Sequence, residues 1–479
     1  MKEIMKKVLE NLKTQVTFAD IRFTKTDTES YNIQRGSLKE ISVDYNETNA
    51  GVRVLVDGCW GFAGTDRLTS AALESAAKKA IENAKHGARF RHTPVTFPEV
   101  KPTVAEHFAK PVEDPFLMTK EEKAGYLLDV AQKLTKNEKI VYSHVYAEFY
   151  RQYKIYMNTE GTYSETMIYQ TMPEMFVLAA GNGETQSRTY PGHMTGRNGG
   201  FEVVRDYKFH DHTEEIISEA IALLDAPRIE EERADLIITG GHLALQIHES
   251  VGHATEADRI FGMEISYAGK TFISPDMIGK HQYGSPVVNI ISDSSDPDGM
   301  GYHPVDDEGI PGRRVDIIKD GILVNQQTSR EVAHQLGLEP SSNMKATHGY
   351  NVPLIRMSNF SLLPGNAGTL QDLIKDTEHG YLVDYTKTWS IDDNRNNFQF
   401  TTEIGWKIEN GEITGIVKEP TYFGITTEFW NACDAVCDER EWAYHGTFHC
   451  GKGEPGQAMH LSHKVAPARF KDIVVNVKA

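Results

Sequence analysis

Cysteine is scarce in this chain, with four in 479 residues: Cys59, Cys433, Cys437 and Cys450. So few exclude a disulfide framework. Three of the four crowd into the last 50 residues, which points to metal or redox chemistry in a reducing compartment. Positive charge is in deficit as well. Fifty Lys and Arg against 68 Asp and Glu leave a formal charge of −18, and no basic patch beyond Lys6-Lys7 offsets it. That field repels phosphate backbones and anionic lipid, so nucleic acid is excluded as a direct partner. Long apolar runs are missing too: nothing approaches the ~18 residues that a membrane span needs. The opening MKEIMKKVLENLK is charged throughout, with Ile4, Met5, Val8, Leu9 and Leu12 spaced as in an amphipathic helix and not as in a signal peptide. No Gly-rich phosphate loop follows a strand. The expectation is a cytoplasmic protein with no membrane partner.

What is present organises into two parts. Residues 17–63 alternate apolar and polar in short segments, the pattern of a half-buried antiparallel sheet, and LTSAALESAAKKAIENAK then carries one apolar helical stripe. Five prolines between 94 and 115 read as an extended connector. Thr119 with Glu122 forms a capping box that opens another helix, and 139–180 returns to strands. The charged, Pro-containing DAPRIEEERAD, 225–235, divides an N-terminal α+β domain, 1–230, from a β-rich C-terminal domain, 231–479. In the second part Asp320-Gly321 and Asn410-Gly411 mark hairpins, and a single helix is expected near its start. The fold class is therefore α+β: a mixed α/β-layer domain with an antiparallel sheet, then a β-rich domain carrying one metal-binding helix.

That helix holds the chemistry. LIITGGHLALQIHESVGHATEADRI runs from a buried strand through Gly240-Gly241 into His248, Glu249 and His253, an H-E-x-x-x-H pattern. In the familiar H-E-x-x-H motif the histidines lie at i and i+4, about 40° apart. Here they lie at i and i+5, and five residues turn an α-helix by about 500°, splaying the rings by about 140°. Convergence requires a locally widened helix, and Gly252 suits a π-bulge or a helix end. Two converging imidazoles supply two of the three protein ligands of a catalytic Zn²⁺, and Cys450, on a turn flanked by glycine, is the candidate third. Glu249 would then be the general base that takes a proton from the zinc-bound water.

Other readings stay open on the residues alone. Cys450 could be a small buried hydrophobe, and Glu249 a helix-surface carboxylate. Cys433, Cys437, His445 and His449 could form a structural zinc site, although the interval between the pairs is short. His460 and His463 read as ordinary residues. HPVDDEGIPGRR, with Asp306, Asp307, Glu308, Arg313 and Arg314, could bind the ends of a peptide or make internal salt bridges in a solvated turn.

These stretches together, ADIRF, GVRVLVDGCWGFA, HESVGHATEAD, VDDEGIPGRR, KDGILV, RMSNFSLLPG, IENGEITG and CGKGEPGQ, resemble in order the TldD/PmbA family of zinc metallopeptidases, the TldD branch in particular. The resemblance implies His248, His253 and Cys450 as the zinc ligands and Glu249 as the catalytic residue. It also implies a dimer enclosing the active site, either a homodimer or a heterodimer with a TldE-like chain, formed with its substrate cavity by residues 1–230. The activity it implies is endopeptidase cleavage of unfolded or short peptides. The alternative is a non-catalytic, zinc-stabilised peptide-binding or regulatory partner. The segments DEREWAYHGTFH and SIDDNRNNFQF depart from the family pattern, and substrate choice would reside there.

Overall fold

Alternating apolar and polar residues near the N-terminus yield three strands, Phe18–Gln34, Ser37–Val56 and Cys59–Thr65. In the computed structural model, which describes residues 1–267, 269–453 and 456–476, they join Ile140–Asn158, Tyr163–Gly181 and Val104–Phe108 as the spine of an eight-stranded sheet. All its pairings are antiparallel except Val104–Phe108 on Tyr163–Gly181. The proline-rich connector thus contributes a strand. Pro102 and Pro111 flank Val104–Phe108 and cost the ladder no donor.

The first strand shows how the sheet is covered. Its odd residues Ala19, Ile21 and Phe23 pack under the helices Lys2–Leu12 and Ser70–Ala88, while Tyr31 and Ile33 pack under Lys120–Leu134 and Phe209–Leu223. The Thr119–Glu122 capping box opens the third of these helices. Even residues Asp20, Arg22, Thr24 and Thr26 are equally buried, beneath the second half of the chain. Polar groups on that face need partners. Arg22 donates to the Asn351 carbonyl at 3.1 Å, and the Gly349 amide donates to Thr24 Oγ1 at 2.9 Å. Arg53 pairs with Glu308 at 3.1 Å, and Lys154 donates to Asp307 at 2.7 Å. Asp307 and Glu308 are therefore salt-bridged, but to the first sheet and in a buried setting, not in a solvated turn.

The second half builds two more main sheets. One runs in the order His379–Ile391, Glu232–Ile238, Ala468–Val475, Thr421–Ile425, Asn397–Glu409, Glu412–Lys418, and His379–Ile391 also pairs with Asn397–Glu409, closing the sheet on itself. The other runs Ile322–Leu323, Arg314–Lys319, Ile290–Asp293, Asn359–Leu362, Gln457–Val465, Ala443–Lys452. Both expected hairpins form. Asp320 and Gly321 have φ of 49° and 79°, and Asn410 and Gly411 have 51° and 79°, the left-handed pairs that a tight two-residue turn demands. The chain is α+β with a β-rich second half. Three short helices there, Arg330–Leu336, Leu370–Lys375 and Thr426–Asn431, were not expected, because two turns leave little 3.6-residue periodicity to read. Among the described residues no helix is long and apolar enough to cross a membrane.

Candidate metal centre

The strand Glu232–Ile238 delivers the chain through Gly240 into the helix Gly240–Ile247, which packs against strands of both C-terminal sheets. At His248 the helix widens. Residues His248–Gly252 form a π-turn and His253–Thr255 a 3₁₀ turn, so the distortion expected at Gly252 is present. The His253 amide donates to the His248 carbonyl, an i→i+5 bond that joins the two histidines of the motif. Their rings stand 4.6 Å apart, nearly perpendicular. Gly252 is required by packing and not by its φ: a Cβ there would lie 2.1 Å from the sulfur of the fully buried Met357.

Cys450 comes from the outer strand of the six-stranded sheet. Its Sγ lies 3.3 Å from His248 Nε2 and 3.7 Å from His253 Nε2. Zinc bonds of about 2.05 Å to N and 2.3 Å to S, at tetrahedral angles, place such atoms about 3.5 Å apart. The three donor atoms lie within 4.8 Å of one another, all buried, and among the described residues they form the one such group of His, Cys, Asp and Glu. Cys433, Cys437, His445 and His449 do not gather into another.

Hydrogen bonds fix which nitrogen of each ring is free. His463 Nδ1 lies 2.6 Å from the Phe360 carbonyl and must donate to it, leaving Nε2 as an acceptor. His248 Nδ1 lies 2.9 Å from that Nε2, so it carries the proton, and His248 Nε2 presents a lone pair toward Cys450. His253 Nδ1 donates to Glu256 at 2.9 Å with the same result. Burial lowers the imidazole pKa of both, that of His248 to about 4, so both stay neutral as metal ligation demands. Burial pushes the Cys450 thiol up, but opposing influences, the Arg356 guanidinium the largest of them, hold it below its ordinary value. Burial likewise opposes ionisation of Glu256, yet Lys452, His253 and Arg259 hold its carboxyl well below the usual range. The donor set suits a zinc ion: two neutral nitrogens and a thiol disposed to ionise.

Glu249 stands beside the cluster with both carboxylate oxygens engaged. Trp389 Nε1 donates to Oε1 at 3.2 Å and Arg395 Nη1 to Oε2 at 2.9 Å. Arg395 sits on the turn between His379–Ile391 and Asn397–Glu409 with φ of 61°, a left-handed conformation uncommon for a non-glycine residue.

A model of the PmbA/TldA metallopeptidase C-terminal domain matches residues 231–475, and one of domain 1 matches 19–84. The chain belongs to the TldD/PmbA family of metallopeptidases. A metalloprotease of Methanocaldococcus jannaschii is 28% identical over 448 residues, 93% of this chain and 94% of that one. A zinc metalloprotease TldD homolog of Saccharolobus solfataricus is 29% identical over 234 residues, 48% of each chain. The fold matches that of Thermococcus kodakarensis TldE with a TM-score of 0.69 at 16% identity, covering 99% of this chain and 100% of that one.

Around this candidate site, sequence reasoning missed His463, Glu256, Trp389 and Arg395. Glu256 lies in the quoted HESVGHATEAD stretch, three residues after His253, and was the one with a local signal. His463 reaches His248 through sheet pairing across 215 residues, and nothing in its neighbourhood marks it.

Proposed function

We propose that this metallopeptidase is a zinc endopeptidase that hydrolyses unfolded or short polypeptides, with His248, His253 and Cys450 holding the ion and Glu249 as general base. The carrying observation is a set of three convergent donors, with no fourth among the described residues, beside a carboxylate. Structural zinc sites take four protein ligands, and catalytic ones take three and keep a position open. Bound there, the ion supplies Lewis acidity that polarises the scissile carbonyl and lowers the pKa of a water. Glu249 takes the proton of the attacking water and passes it to the leaving amine. Its two oxygens offer about four acceptor sites, of which the hydrogen bonds to Trp389 and Arg395 use two, so it is oriented and still able to accept. His463 and Glu256 hold the ligand rings in their metal-binding tautomers.

Cys450 lies on the outer strand of its sheet, Ala443–Lys452, where an extended peptide could add as a further strand and run past the site. Such pairing reads backbone, which suits unfolded substrates. We assign dimer contacts and the walls of the cavity to residues 1–230, in a homodimer or a heterodimer with a TldE-like chain; the fold shared with TldE supports the pairing. The zinc named in the Saccharolobus relative supports the metal. Four free, buried cysteines fit a reducing compartment, and we place the enzyme in the cytoplasm.

The test is hydrolysis of an unstructured polypeptide by wild type and Glu249→Gln at equal zinc content, alone and with a TldE-like chain. A loss of 10²-fold or more in kcat at unchanged zinc is expected. Equal rates would remove Glu249 from the chemistry, and absence of cleavage by wild type in both settings would favour a zinc-stabilised binding protein.

A further inference from the structure

Against the six-stranded sheet, where it meets the N-terminal sheet, lies a small cleft of about 80 Å³, partly open to solvent. Most of its polar side chains are satisfied within the protein. Gln152 donates to Thr26, Tyr150 and the Thr347 carbonyl, and Gln170 donates to Asn198 and Met300 and accepts from His460. His303 spends both ring nitrogens on Gly301 and Ser342. Lys154 is neutralised by Asp307 at 2.5 Å. Lys345 is the exception. It is partly exposed to the cleft, its closest acceptor is the His460 carbonyl at 3.5 Å, and among the described residues no carboxylate pairs with it. A cation withdrawn from water without a counter-charge is costly. Burial, then Lys154 and Arg356, lower its ammonium pKa to about 7, and an anion placed beside it would restore the charge.

Position supplies the identity of that anion. Met459, in the cleft wall, pairs in register with Cys450, whose Cα is ~5 Å away, so the cleft wall and the metal cluster draw on the same pair of strands. The remaining walls include Ile168 and Met300, apolar surface next to the cation. A ligand presenting one carboxylate beside an apolar group, carried on a chain that reaches the metal cluster, satisfies both.

We propose that Lys345 anchors a carboxylate-binding subsite for peptide substrates, taking either the C-terminal carboxylate or an acidic side chain. The inference rests on the peptidase reading. Its test requires only binding, so the two can fail separately.

The full-length, zinc-loaded Glu249→Gln protein is titrated with three fluorescent versions of one short peptide: a C-terminal acid, its amide, and the amide with an internal Glu. The acid or the Glu peptide is expected to bind at least 10-fold tighter than the plain amide, and which one does identifies the source of the carboxylate. Adding Lys345→Met should abolish the preference, while Lys345→Arg should keep it. Lys345→Met is also expected to melt no lower than its parent, because it removes a half-buried cation that no carboxylate among the described residues pairs with. Equal binding of all three peptides, or a preference that survives Lys345→Met, overturns the proposal. Should Lys345→Met fold poorly, loss of the preference in Lys345→Gln serves the same purpose, and its retention there overturns the proposal equally.

Discussion

The relay from a backbone carbonyl to the metal cluster invites a direct perturbation. His463→Leu keeps a buried side chain of similar bulk and removes the ring whose Nε2 accepts from His248 Nδ1 at 2.9 Å. Two consequences follow from the geometry. The His248 N–H loses its buried partner, which costs about 1–3 kcal/mol of stability. The proton on His248 is also no longer held on Nδ1, so Nε2 carries a lone pair toward Cys450 only part of the time. Loss of such a supporting bond weakens metal affinity by about 10- to 100-fold, or roughly 1.4–2.7 kcal/mol. Competition for Zn²⁺ against a chromogenic chelator at fixed pH reads this directly. His460→Leu is the matched control: it lies three residues away on the same strand, but its ring stacks on Phe448 at 3.9 Å and bonds Gln170, not His248. Zinc affinity should fall in His463→Leu and hold within a factor of two in His460→Leu. Identical affinities in the two variants would refute the reasoning.

Gly252→Ala should destabilise by about 1–3 kcal/mol despite alanine's better helix propensity, since its Cβ would meet Met357 Sδ at 2.1 Å. Urea denaturation measures the loss, and a double-mutant cycle with Met357→Ala should show favourable coupling; additive effects would mean that the contact is not the cause. Glu174 supplies a pH dependence: burial, then the nearby Glu403, raises its carboxyl to about 7 from an ordinary 4.5. Between those values the folded chain keeps a proton that the unfolded chain has released, so this group's contribution to stability falls as pH rises from about 4.5 to about 7. Glu174→Gln should therefore raise Tm relative to wild type more at pH 8 than at pH 5, and an equal shift at both would count against a raised carboxyl.

Much of the fold was legible because its signals are local. The Thr119–Glu122 cap, the Asn410-Gly411 turn and the stripe of Met5, Val8, Leu9 and Leu12 each state their conformation within a few residues. Asp307 and Glu308 show the limit. Their charge read as that of a solvated loop or of a site for peptide ends, yet they are buried against Lys154 and Arg53, because the partner surface is made by strands more than 150 residues away. Charge in sequence records the need for a partner and not its location. The edge strand Val104–Phe108 was hidden for a related reason: proline density argues against a ladder only where the prolines fall inside it.

At the candidate metal centre local rules fail together, and that coincidence carries information. The helix takes a π-turn where α-geometry would separate its histidines, Arg395 holds φ at 61°, and Glu256, Asp258, Arg259 and Lys452 bury four charges in one cluster. Each departure is unfavourable in isolation, by about 1–3 kcal/mol for backbone strain, and more for an unpaired buried charge. Yet each has a role in the same small volume. The π-turn brings the His253 ring to His248, the left-handed residue aims Arg395 at Glu249, and Glu256 holds His253 in one tautomer. A scaffold that only needed to fold would have no reason to gather these costs at one point. Their convergence on three donors and a carboxylate is the physical argument that this point is where the chain acts.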